Sequence, residues 1–184
     1  MNAIETHALT RRFGPRTAVD GLDLTVRQGE LFALLGVNGA GKTTTLRMLS
    51  GLLQPTGGEA DILGFRLTQQ PQEIKRRINL SPQETAVAPN LTVRENLELI
   101  AGIYGASHRE AAQRAAETIA EFHLGEVERS RAKTLSGGWQ RRLSIAMALI
   151  SQPQLVFLDE PTLGLDVLAR RELWQVIRSL RGRV

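Results

Sequence analysis

The chain has no cysteine, which excludes disulfides and thiolate zinc sites and fits a reducing compartment. Aromatic residues are only 4% of the composition, too few for the base-stacking grooves of single-strand nucleic-acid binders. No apolar run approaches the roughly 18 residues needed to cross a bilayer. The start, Met1-Asn2-Ala3-Ile4-Glu5, lacks the charged-then-apolar layout of a secretion signal, so the chain is expected not to span a membrane. Nor do basic residues form a run of five or six. The longest arginine runs are pairs, Arg11-Arg12, Arg76-Arg77, Arg141-Arg142 and Arg170-Arg171, and the other arginines are scattered. The formal charge of +4 therefore reads first as solvated helix faces, with anionic lipid headgroups or a partner surface as the other reading, and no nucleic-acid partner is expected.

What is present is a chain of 184 residues, 42% hydrophobic, enough for one globular domain with a core and a subdomain. Its organising stretch is Gly36-Val37-Asn38-Gly39-Ala40-Gly41-Lys42-Thr43-Thr44, which fits the phosphate-binding pattern G-x-x-x-x-G-K-[ST]. In that pattern glycines let backbone N–H groups close around phosphates, while Lys42 carries positive charge and Thr43 reaches magnesium. The flanks agree. Leu31-Phe32-Ala33-Leu34-Leu35 predicts a buried parallel strand, and residues 43–50 predict a helix stopped by Gly51. Strand, glycine loop and helix together place an anion at the positive end of the helix dipole.

Upstream, residues 2–28 predict β-structure, with Leu22, Leu24 and Val26 alternating against Asp23 and Thr25. Phe13 precedes a Gly14-Pro15 turn, and from the residues alone its ring fills a core or stacks on a base. Downstream, Gln54-Pro55-Thr56-Gly57-Gly58 predicts a turn and residues 60–63 a short strand. A polar helix over 71–77 and a strand Ile78-Asn79-Leu80 follow, leaving Gln83 in a loop where polar side chains reach ligands. From about residue 90 the pattern becomes helical. Capping boxes begin at Thr92 and Ser107, the apolar face Val93, Leu97, Ile100 and Tyr104 follows the first, and Gly125 is read as the stop of the second helix. His108 and His123 lack neighbours that would make a metal site.

Ser136-Gly137-Gly138 opens the next helix, where Ser136 is a natural N-cap and each glycine costs about 1 kcal/mol against alanine. Bare N–H groups beside a hydroxyl favour a second anion contact. Leu155-Val156-Phe157-Leu158 closes on Asp159 and Glu160, a buried parallel strand by length, with ligands expected beyond its carboxyl end. Asp159 then suits a magnesium shell and Glu160 an attacking water. A loop ending in Asp166 caps a last helix that buries Leu173, Val176, Ile177 and Leu180.

These motifs together resemble the nucleotide-binding subunit of an ATP-binding cassette (ABC) transporter, over nearly the whole chain. Residues 36–44 look like Walker A, Gln83 the Q-loop, residues 135–139 the signature, residues 155–160 Walker B with its catalytic glutamate, and residues 164–166 the D-loop. Phe13 matches the adenine-stacking aromatic. The resemblance implies an α/β P-loop NTPase (RecA-like) core with an N-terminal antiparallel β-subdomain and an inserted α-helical subdomain. Residues 1–84 and 151–184 would form the core with its β-subdomain, and residues 85–150 the helical signature subdomain. It further implies ATP and Mg2+ as ligands, with ATP held by Phe13, Gly36, Asn38, Gly39, Ala40, Gly41, Lys42, Thr43 and Thr44. Thr43, Gln83 and Asp159 would serve the metal, and Glu160, Gln83 and Lys42 catalysis.

In such proteins two cassettes, identical or not, sandwich ATP head to tail. Ser136, Gly137 and Gly138 would then contact the nucleotide bound by the second subunit, with Asp166 in the D-loop. A polytopic membrane permease would hold the dimer at the cytoplasmic face of the membrane, and residues 90–97 and 161–166 look most like exporters of the ABC-2 type. The runner-up is a soluble relative acting on nucleic acid or ribosomes, disfavoured by the short insert without heptads or cysteines. Trp139 stands where the signature usually has glutamine, and Val37 at a variable position. The family also has a further strand and a switch histidine after the last helix, and His7, His108 and His123 are in the wrong places. The 184 residues are thus expected to be an incomplete cassette with unpaired backbone and open apolar faces, poorly soluble and weakly active.

Overall fold

The computed structural model describes all residues, Met1–Val184, as two compact units: Met1–Asn79 with Arg181–Val184, and Leu80–Leu180. In the first, strands β1 (Asn2–Phe13) and β2 (Arg16–Arg27) form an antiparallel hairpin around Gly14-Pro15. Strand β3 (Gly57–Ile62) pairs with the other edge of β1, and β4 (Phe65–Arg66) with β3, giving the order β2-β1-β3-β4. Alternation works as predicted. Val26 is buried and Leu22 and Leu24 are half-buried, while Asp23 and Thr25 are exposed; Ile4, Ala60 and Ile62 are buried on the neighbouring strands. Arg66 pairs with both Glu59 and Asp61 across the β3–β4 ladder. Gly57 and Gly58 lie inside the strand and not in the expected turn. At Gly58 φ is +72°, and an added Cβ would sit 2.1 Å from the Ala8 carbonyl oxygen, so glycine is required where β1 bulges against it. Helix α1 (Lys42–Leu49) buries Met48 and Leu49 and ends at Gly51, as expected.

One expected strand is absent. Residues 31–35 form no strand and join neither sheet, and Leu31, Phe32 and Leu35 are 43%, 44% and 88% exposed. Apolar composition favours a strand only when neighbouring strands accept its backbone hydrogen bonds, and none pairs with this segment.

Helix α2 (Pro71–Lys75) starts on its proline and leads to β5 (Ile78–Ser81), inside which the division between units falls. Arg77 bonds Glu73 and covers the Phe65 ring at 4.5 Å, so this basic pair is used within the fold. In the second unit come α3 (Val93–Ile103), α4 (His108–Glu121), α5 (Gly137–Leu149), β6 (Leu155–Leu158) and α6 (Val167–Ser179). Both capping boxes form: Thr92 with Glu95 and Ser107 with Glu110. Hydrogen bonds from the Thr92 backbone and hydroxyl hold the Glu95 carboxyl below the usual range, and Ser107 does the same for Glu110, its hydroxyl first.

Val93, Leu97, Ala115, Phe122, Leu143 and Leu173 make one apolar core, each removed from water at about 25 cal/mol per Å² of apolar surface. Tyr104, expected on that face, is the C-cap of α3 and 46% exposed. The second helix stops before Gly125. His123 takes the left-handed position with φ +51°, and Leu124 N–H donates back to the Ile119 carbonyl, because burying Phe122 and Leu124 fixes the register of the last turn. Strands β5 and β6 form a two-stranded sheet, too narrow to bury β6 as expected; only Phe157 is fully covered.

Asn96, fully buried on α3, ties down the loop before that helix. Its amide donates to the carbonyls of Ala88, Leu91 and Thr92, and its oxygen accepts from Ala88 N–H. Asn96→Ala is expected to destabilise the protein by about 1–3 kcal/mol, because those groups lose their buried partner. A urea midpoint equal to the parent's would show that the loop is held by other contacts.

Candidate functional site

In the first unit most of the candidate residues gather on the loop before α1. Glycine at 41 is dictated twice: φ is +87°, and an added Cβ would lie 2.3 Å from the Ala18 carbonyl oxygen of β2. Gly39 is also left-handed, and Ala40 N–H donates to the Val37 carbonyl at 3.1 Å. Gly41 is thus the N-cap of α1, with no side chain capping the helix. The Lys42 ammonium turns back over the loop, donating to the carbonyls of Gly36 at 2.8 Å and Val37 at 3.1 Å. It lies over a glycine-rich loop that opens a helix, an arrangement that suits an anion. Gly36, Asn38, Gly39 and Ala40 are exposed around it, with Thr43 and Thr44 in the first turn of α1. Phe13, at the tip of the hairpin, is 46% exposed, with the Arg11 guanidinium 4.6 Å from its ring centre. One ring face is covered by that cation, and the ring fills no core.

In the second unit the residues form two groups. Gln83 is exposed in the loop after β5. Asp159, 6% exposed, extends the β5–β6 pairing by donating its N–H to Ser81 at 3.0 Å. Glu160 follows in the left-handed region at φ +44°, a conformation that costs a non-glycine residue roughly 1–3 kcal/mol and recurs at functional sites. What joins these residues is Arg141, which the sequence placed on a solvated face. It is 3% exposed, because α5 is packed on every side between α3, α6 and β6. The Nε–H of Arg141 donates to Pro161 O at 3.0 Å. One terminal nitrogen donates to Pro82 O and, at 3.0 Å, to Gln83 O, and the other to Asp159 O at 2.6 Å. Burial lowers its pKa from the ordinary arginine range, while the Asp159 charge acts the other way. Nothing in local sequence distinguishes it from a surface arginine.

The other group lies where α5 and α6 begin. Ser136, Gly138, Trp139, Asp166, Ala169 and Glu172 line an open cavity of about 190 Å³. The Ser136 hydroxyl does not cap its helix, contrary to expectation, and the residue is exposed. An added Cβ on Gly138 would approach Ala169 Cβ to 3.3 Å, so small residues let the two helix starts come close. Asp166 caps α6 by accepting from Ala169 N–H at 2.8 Å. Arg142, the second arginine expected in solvent, is 8% exposed; it lies 4.8 Å from the Trp139 ring centre and pairs with Glu172 at 2.5 Å. No helix is long and apolar enough to cross a membrane.

A glycine loop opening a helix, with a strand closed by paired carboxylates in an α/β fold, defines a phosphate-loop nucleotide-binding protein. The profile of the family described as ABC transporter matches residues 19–163. The daunorubicin/doxorubicin resistance ATP-binding protein DrrA of Streptomyces peucetius is 46% identical over 97% of this chain and 54% of its own length. The Nod factor export ATP-binding protein I of Burkholderia lata is 41% identical over 98% of this chain and 59% of its own. A solved ATP-binding cassette, dimeric in a post-hydrolysis state with ADP and Pi, matches with a TM-score of 0.84 at 28% identity, over 97% of this chain and 83% of that one. The chain belongs to the ABC transporter family, in its ATP-binding part, and its fold is that of the P-loop cassette. It spans about half the length of the curated relatives it matches.

Proposed function

We propose that this chain binds and hydrolyses ATP as the energising part of an exporter, pairing head to tail with a second cassette and driving a polytopic membrane permease from its cytoplasmic face. The observation that carries the reading is the Lys42 ammonium held over a left-handed glycine loop, where phosphate oxygens could replace the carbonyls of Gly36 and Val37. Phe13 offers its ring to adenine, and the loop from Gly36 to Thr44 takes the phosphates. Ser136, Gly137 and Gly138 close over the nucleotide of the other subunit, with Asp166 in the D-loop beside them.

The Thr43 hydroxyl, Gln83 amide oxygen and Asp159 carboxylate are hard oxygen donors of the kind that suits Mg2+. When bound, magnesium neutralises charge on the phosphates. Glu160 orients the attacking water and accepts its proton as the bond from the γ-phosphorus to the bridging oxygen breaks, releasing ADP and phosphate. Residues 1–84 and 151–184 carry the nucleotide chemistry, and residues 85–150 carry the signature and pass the motion to the permease. Support for export comes from the names of the relatives, one a drug-resistance protein and one an export protein.

The intact protein, purified from solubilised membranes, should bring a polytopic membrane protein with it and dimerise on adding ATP. Salt-dependent nucleic-acid binding with no membrane partner would overturn the reading in favour of a soluble ATPase.

A further inference from the structure

Arg141 is the one buried cation in the second unit whose hydrogen bonds all go to main-chain carbonyls at functional segments. Two of its acceptors, Asp159 O and Pro161 O, belong to the residues on either side of Glu160. The other two, Pro82 O and Gln83 O, lie just beyond β5. Between the flanking acceptors Glu160 sits at φ +44°, in a backbone region that its side chain disfavours. A left-handed residue persists only where its surroundings over-determine it, and bonds to the residues before and after it are such a constraint.

We propose that Arg141 is a positioning residue for Glu160. By bonding both neighbouring carbonyls it holds the Glu160 backbone left-handed and so sets the direction of the carboxylate, and by bonding Pro82 and Gln83 it keeps the Gln83 loop in the same frame. The planar guanidinium, with five donors in a fixed fork, can span four carbonyls on two segments; a lysine ammonium is a point charge on a flexible stem and cannot hold the same set. Arg141 does not touch the reacting atoms. The inference rests on the proposed role of Glu160 toward the attacking water.

A double-mutant cycle on the intact protein tests it, using ATP affinity at equilibrium and the single-turnover rate of phosphate release. Arg141→Met is expected to lower the rate on the order of 10–100-fold, the scale of a small misplacement of a catalytic group. ATP affinity should stay within about twofold, because the effect falls on the chemical step and not on binding. Arg141→Lys should recover part of the rate; it also carries the test if Arg141→Met does not fold. In a Glu160→Gln background, Arg141→Met should lower the rate far less than it does in the parent, since the carboxylate it positions is already gone and only the Gln83 loop is left to hold. Rate losses that multiply, or ATP affinity that falls as far as the rate, would overturn the inference while leaving the role of Glu160 standing. A Glu160→Gln protein with the parental rate would instead refute that role, and the positioning of Glu160 with it.

Discussion

Glu160→Gln is expected to lower the rate of ATP hydrolysis on the order of 10²–10⁴-fold, the range over which a positioned acid–base group acts. ATP binding should survive, and the ATP-bound dimer should accumulate. The argument separates the backbone from the side chain. Glutamine matches glutamate in size, and the Arg141 bonds on either side reach the carbonyls of Asp159 and Pro161, which the substitution does not alter. The left-handed turn at residue 160 should therefore persist, with the Leu163 N–H still donating to the residue 160 carbonyl. What disappears is the ability to accept a proton from water. Single-turnover phosphate release and size-exclusion chromatography with and without ATP read the two consequences separately. An unchanged hydrolysis rate would remove Glu160 from the chemistry, whatever happened to the dimer.

How far residue 160 could be read from sequence marks a general boundary. That an acid follows four apolar residues was legible, since it needs only the order of residues. That the acid is left-handed was not, because glutamate carries no local signal for φ near +44°. The capping boxes at Thr92 and Ser107 were legible for the same reason: each closes within four residues. The phosphate loop was legible because its conformation is written in glycines that no other residue could replace, as the 2.3 Å approach at Gly41 shows.

Readings failed where a partner distant in sequence decides the outcome. Residues 31–35 have a strand's composition, but a ladder needs a neighbour to accept its hydrogen bonds. Arg141 and Arg142 look like a solvated pair because a helix packed on all sides presents no polar face in its periodicity; their acceptors come from residues 82–83, 159–161 and 172. Gly125 lies beyond the end of α4 as expected, but the burial of Leu124, and not that glycine, sets where the helix turns away.

Lys42→Ala is expected to weaken binding of ATP and ADP about 10–100-fold while leaving AMP unchanged. Two effects oppose each other. Removing the ammonium abolishes its bonds to the Gly36 and Val37 carbonyls, which nucleotide would otherwise have to displace, and this favours binding in the variant. Those are bonds at an exposed loop, each contributing about 0.5–1.5 kcal/mol at most. Against them stands the loss of charge-assisted bonds to phosphate oxygens, which are roughly twice as strong as neutral ones and act alongside the helix dipole. The phosphate term wins by about 1.4–2.8 kcal/mol, which is one to two powers of ten in Kd. The selectivity follows from reach: a lysine in this pattern extends to the β- and γ-phosphates, so a nucleotide lacking both gains nothing from it. Titration calorimetry with the three nucleotides measures this directly. Equal losses for AMP would mean that the substitution collapses the loop and does not remove a phosphate contact. Undiminished ATP affinity would mean that the cradle from Gly36 to Thr44 is not where the phosphates bind.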